Sequence, residues 1–195
     1  MRTQQIVRKP LAVRPRPGRT VGQRLYIRFP QLGQAFARTV DALPPRSRLR
    51  QAMVWRAFQF ATEALNRRDL DAALIAYRPD RELYPPREWV GAGFVESCYR
   101  GPEGFRRYLS ELDQVWGVNL RVEPAELIDV GDRLVMLAAL PSRAEASGLE
   151  LTSEYATVMT MRSGEIVRQR DYMSHADALK AAGLPPLAAA RNSRP

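Results

Sequence analysis

The sequence predicts an α+β domain in which a curved antiparallel sheet wraps a few helices, preceded by a helical extension. Three observations lead there. Apolar residues in the first half recur at helical spacing. The second half is mostly short apolar or alternating runs, with turn signals at Gly131-Asp132 and Ser163-Gly164. Helices placed first and strands last make an α+β architecture.

The elements follow in order. Residues 1–20 carry Pro10, Pro15, Pro17 and Gly18 among arginines, so no regular element is expected and the segment reads as a disordered basic leader. Residues 21–50 read as a helical extension, with Leu32, Phe36, Val40 and Leu43 at helical spacing before Pro44-Pro45. Ser47 is suited to cap the next helix, whose stripe is Leu49, Met53, Ala57, Phe60, Ala61 and Ala64. A short helix begins at Asp69, an acid matched to the positive helix start. "RELY" reads as a strand, and an aromatic, glycine-containing loop follows it. Pro102 opens a helix with Phe105, Leu109, Leu112 and Trp116 on one face. Strands then run to the Ser163-Gly164 hairpin and beyond it. A last helix starts at Ser174 and stops at Gly183, leaving 185–195 as a flexible tail.

Composition narrows the function classes. Residues 1–50 hold 12 Lys or Arg against one acid, Asp41, while residues 51–195 hold 18 basic and 20 acidic residues. The body is near neutral, and the basic arm gives only weak support to nucleic acid or membrane contact. One cysteine, Cys98, leaves no internal disulfide. No apolar run spans a bilayer and no apolar segment follows the basic start, so a cytoplasmic protein is expected. One histidine, His175, without a ligand cluster argues against a metal site, and no phosphate-cradling glycine motif supports a nucleotide cofactor.

The stretches "EALNRRDLDAAL", "YRGPEGFRRYL", "RVEPAELIDVGDRLVML", "YATVMTMRSGEIVRQRDY" and "ADALKAAGL" resemble, in that order, the SnoaL-like branch of the nuclear-transport-factor-2-like superfamily. The resemblance covers about residues 51–184. It implies a cone-like α+β barrel around an apolar pocket, in a superfamily that includes polyketide cyclases and steroid isomerases. Cyclases of the family often carry His-Trp-Asp after the last hairpin, with the Asp as acid/base. Asp171 falls on that Asp, with Gln169 and Arg170 in the other two places.

A regular hairpin around Ser163-Gly164 sets Arg162 against Glu165, Gln169 against Val158, Asp171 against Ala156 and Tyr172 against Tyr155. One face then carries Asp171, Gln169, Ala156, Val158 and Glu154. The other carries Tyr155, Tyr172, Arg168, Arg170, Met159 and Met161. Two readings of Asp171 stay open. Inside the cone, burial would raise its pKa and suit proton abstraction beside a carbonyl, with Gln169 or Tyr155 as hydrogen-bond donor. Ketosteroid isomerase, a worked example of that chemistry, uses such acids in an apolar site. Outside, Asp171 would pair with an arginine. Tyr84, Trp89, Phe94, Tyr99, Trp116 and Tyr172 are aromatic candidates for the pocket. The expected function is binding, isomerising or cyclising a small hydrophobic carbonyl compound. The alternative is a non-catalytic ligand-binding or homodimeric interaction module with a basic N-terminal arm.

Overall fold

The computed structural model describes residues 6–11, 18–44, 47–117, 120–143 and 150–186. The expected tail at 187–195 and the leader at 1–5 and 12–17 lie outside the described residues. The chain runs β1 (Val7–Pro10), α1 (Val21–Arg28), α2 (Pro30–Asp41), α3 (Arg48–Asn66), α4 (Leu70–Ala73), β2 (Tyr77–Tyr84), α5 (Arg87–Gly91) and β3 (Tyr99–Arg100). It continues with α6 (Gly101–Trp116), β4 (Glu123–Asp129), β5 (Arg133–Arg143), β6 (Glu150–Arg162), β7 (Glu165–Tyr172) and α7 (His175–Ala181). One sheet orders the strands β1-β4-β5-β6-β7-β2-β3. Every neighbouring pair is antiparallel except β2 and β7, which run parallel.

Local chemistry sets the helix starts. Ser47, Asp69 and Ser174 each accept a backbone N–H of the first turn from the side chain. Thr20 and Gln23 form a reciprocal capping box on α1. Ser163 and Gly164 both take positive φ, 51° and 78°, the two-residue turn whose twist matches the flanking strands.

The inner face of the sheet packs on α3 and α6, joining Leu83, Leu127, Met136 and Met159 to Phe105, Leu109 and Leu112. The outer face carries Ile128, Val135, Leu137, Ala156 and Val158, covered by Ala178, Leu179 and Leu184 around α7. Helices α1 and α2 lie against α4, α3 and the β6–β7 turn.

The leader expectation is corrected over residues 7–11. Val7–Pro10 pairs antiparallel with Glu126–Asp129, and Leu11 is buried. Proline is tolerated because Pro10 ends an edge strand, where the missing N–H breaks no ladder. Its carbonyl accepts the Trp55 indole N–H at 2.7 Å, which ties β1 to α3. The helical stripe is also corrected at its start. Leu49 is 58% exposed, and the residue buried there is Arg50.

Arg50 is an internal clamp. Its Nε donates to Asp129 at 3.0 Å, and Nη2 donates to the Gly131 carbonyl at 3.0 Å. Nη1 reaches the carbonyls of Val40, Asp41 and Leu43 at the end of α2. One guanidinium thus satisfies terminal carbonyls of α2 and a buried carboxylate of β4.

Candidate functional site

Side-chain direction along β7 decides what the interior contains. The hairpin begins as expected, with Arg162 against Glu165 and Met161 against Ile166. Then Thr160 faces Arg168, so Val167 is an extra residue and the ladder shifts by one. Asp171 faces Thr157, Gln169 faces Met159 and Tyr172 faces Ala156. This corrects the regular register, in which Asp171 shared a face with Ala156, Val158 and Glu154. The inner face carries Tyr155, Thr157 and Met159 from β6 beside Ile166, Gln169 and Asp171 from β7. Without the bulge, the inward Ile166 would bring Arg168 and Arg170 inward as well. The bulge keeps those arginines outside, where both lie over the Tyr84 ring.

Asp171 is 2% exposed. Its Oδ1 accepts from the Thr157 hydroxyl and from Gln169 Nε2 at 2.9 Å, and its Oδ2 accepts from the Tyr108 hydroxyl at 3.4 Å. The Tyr155 hydroxyl also bonds to it. Gln169 Oε1 accepts from the Tyr77 hydroxyl at 3.0 Å and from Arg81 Nη1 at 3.5 Å. The Gln169 amide therefore stands between a buried cation and a buried anion. Arg81 is itself 2% exposed, with its guanidinium 4.0 Å from the Tyr77 ring centre and 4.3 Å from that of Phe105. Its Nη2 is buried without a hydrogen-bond partner.

Burial pushes the Asp171 carboxyl above the usual carboxylate range, against the opposing pull of hydrogen bonds from Thr157, Gln169 and Tyr155 and of the Arg81 charge. Burial and then the Asp171 charge hold Tyr108 and Tyr155 well above ordinary phenols, so both stay protonated donors at neutral pH. Desolvation lowers Arg81.

The raised carboxyl has a measurable consequence. An unfolded Asp titrates near 3.9, so between that pH and the higher folded value only the folded chain holds the proton. Stability contributed by this group is complete below about pH 4 and is lost as pH rises through the folded value. Asp171→Asn is therefore expected to raise Tm at pH 7, with the gain shrinking toward pH 4. Calorimetry at the two pH values checks it, and an unchanged or lower Tm at pH 7 contradicts the assignment.

An inner cavity of about 80 Å³ adjoins this cluster. Tyr108, Tyr155, Thr157, Gln169 and Tyr77 line its polar side, and Trp89, Phe58 and Leu109 are among its apolar walls. Asp171 stands one layer behind, touching four of the five polar side chains. Among the aromatic candidates, Trp89 lines the cavity and stacks on Tyr155 at 6.3 Å. Trp116 and Phe94 pack behind Trp89 and not on the cavity. Tyr99 is buried, with its hydroxyl bonded to Glu96 N–H and Glu111. Tyr84 donates to Glu82, and Tyr172 lies on the outer face with α7. Both point away because their parity on β2 and β7 is opposite to that of the inward residues.

Sequence reasoning passed over Tyr108, Thr157, Tyr77 and Arg81. Tyr108 follows Phe105 by three on the α6 stripe, and that spacing could have found it. Thr157 appears only once the bulge is known. Arg81 carries no signal, since arginine is rarely fully buried. Among the described residues no three His, Cys, Asp or Glu side chains are placed to hold a metal ion. No described helix is long and apolar enough to cross a membrane. His175 lies on α7 with Nε2 between the carbonyls of Ala138 (2.8 Å) and Tyr155 (3.1 Å), a structural tie on the outer side.

Solved structures share this fold. TerC, co-crystallised with polyporic acid, is 24% identical with a TM-score of 0.54, covering 64% of this chain and 94% of its own. An NTF2-like protein of unknown function from Burkholderia pseudomallei is 23% identical with a TM-score of 0.52, covering 64% and 93%. A protein from Jannaschia sp. CCS1, described as a SnoaL-like polyketide cyclase, is 17% identical with a TM-score of 0.51, covering 72% and 98%. No curated protein matches the chain. Residues 58–169, more than half of the chain, match the SnoaL-like domain family, and with the cone of sheet and helices around Asp171 the chain belongs to that family.

Proposed function

We propose that the chain binds a small hydrophobic carbonyl compound in the cone and shifts its protons, as an isomerase or cyclase, with Asp171 as the acid/base. One observation carries this reading. Asp171 is a fully buried carboxylate held by neutral donors, all of which also line the cavity. A carboxylate paired with arginine would be a weak base. One surrounded by hydroxyls and an amide, with its pKa raised by burial, is matched to take a proton from carbon beside a carbonyl. The Tyr108 contact, at 3.4 Å, is longer than that of Gln169 at 2.9 Å, and a ligand displaces it more easily. A carbonyl oxygen accepting from Tyr108 or Tyr155 would be polarised and would leave Oδ2 facing the adjacent C–H. TerC, of the same fold, was co-crystallised with polyporic acid.

The small volume of the inner cavity and the position of Asp171 behind its wall favour a second reading, a non-catalytic binding protein. One assay separates the two. Cyclic enones and 1,3-diketones are incubated with the protein in D2O, and α-deuteration is followed by NMR. Wild type is expected to accelerate exchange, and Asp171→Asn to slow it at least about a hundredfold, the lower end of what a positioned general base supplies. Binding without exchange supports the second reading. Exchange equal in both proteins removes Asp171 from the mechanism.

A further inference from the structure

A second cavity of about 310 Å³ lies between α1, α2, α3 and the β5 and β7 strands, about four times the volume of the inner one. Tyr26, Phe36, Met53, Ile75, Leu134 and Met161 are among its walls. Much of that wall comes from residues 21–57, which precede the stretch matching the family. The two cavities share three side chains, Phe58, Ala61 and Ala73. Two of these are alanines, so Phe58 is the one bulky side chain of the three.

Apart from the Tyr26 hydroxyl, the second cavity has almost nothing to offer a polar group. Arg50 is committed to Asp129 and to backbone carbonyls. The Gln23 amide accepts from Thr20 N–H and donates to the Phe60 carbonyl. Asp41 faces Arg50 at 3.6 Å, and Arg56 is exposed and lies over the Phe60 ring. The inner cavity is the reverse, with donors at one end and little room. Drug-sized ligands occupy roughly 300–1,000 Å³, a range that the inner cavity misses and the second reaches.

We infer that the two cavities are the head and tail compartments of one binding site, and that its ligand is an elongated carbonyl compound with an unbranched hydrocarbon tail. The carbonyl lies among Tyr108, Tyr155 and Thr157. The tail passes the Phe58 ring and lies under α1 and α2. A χ1 change at Phe58 connects the compartments without moving backbone, since the other two shared side chains are single methyl groups. The inference deepens the proposed function and rests on it for the position of the head.

Straight-chain 2-ketones from butan-2-one to dodecan-2-one test it, with dissociation constants from calorimetry and α-deuteration followed on the same samples. Affinity is expected to rise about three- to fourfold per methylene once the inner cavity is full, and then to level off, as burial of successive CH2 groups requires. Met53→Trp, which fills the second cavity only, should leave butan-2-one binding unchanged and flatten the rise. Ala57→Phe, from the exposed rim of α3, gives the same readout if Met53→Trp fails to fold. No binding at any length, affinity independent of length, or a rise unaltered by a folded filling variant overturns the inference. A length-dependent rise without deuteration supports the tail compartment and counts against the acid/base role of Asp171.

Discussion

Replacing Arg50 with leucine is expected to cost about 3–5 kcal/mol, the usual penalty for leaving one member of a buried ion pair without its partner. The loss has two parts. Asp129, 5% exposed, would keep the Gly131 N–H but lose its cation. The carbonyls at the end of α2 would lose their donor while remaining partly buried. Lysine is a poor substitute, because its three donors cannot serve Asp129 and the α2 carbonyls in the directions a guanidinium fork reaches. Chemical denaturation of Arg50→Leu, Asp129→Leu and the double variant measures the pair. The double variant is expected to recover a large part of the loss. Additive losses would show that the two side chains stabilise separate parts of the fold.

Gly164→Val is expected to cost about 2–5 kcal/mol, combining left-handed strain with forced displacement of packed backbone. Gly164 has φ of 78°, and a Cβ there would lie 2.2 Å from the Ala37 carbonyl oxygen and 2.3 Å from its carbon. Neither atom is the end of a flexible side chain. Helix α2 would have to leave the hairpin, opening the larger cavity on that side. Hydrogen exchange should therefore show lost protection in α2 before the β5–β6 ladder is affected. Gly164→Ala places the same first carbon and should show most of the effect. Full protection of α2 in either variant would mean that the helix adjusts around the turn.

Much of the frame was legible because caps and turns act locally. Ser47, Asp69, Ser174, Pro102 and the Ser163-Gly164 pair each announce an element through their own backbone chemistry. The Thr20-Gln23 capping box that starts α1 is equally local, and the sequence reading passed over it. What stayed hidden depends on tertiary partners. Strand β1 exists because β4 offers an edge and Trp55 offers a donor, and no pattern in a proline-rich leader shows either. Arg50 and Arg81 look like surface cations until their partners are in place. Asp171, Gln169 and Tyr155 could be named as candidates, but Thr157, Tyr108 and Arg81 could not. The register that sets them turns on one unpaired residue, and Val167 is as ordinary a strand residue as any in β7.

That unpaired residue gives β7 one position of slack, which bears on how chains of this kind diverge. A lineage that lost the codon for Val167 would close the ladder while Ile166, Gln169 and Asp171 still faced inward. Loss of residue 169 or 170 would leave two outcomes. Either the acid turns outward, or the bulge closes and Arg168 takes the inward place beside Asp171. The interior would then change in one genetic step from a carboxyl among neutral donors to an ion pair. Insertions and deletions in this strand are a short route to a different chemistry, and an alignment counted from the hairpin turn would place the acid one step out of phase.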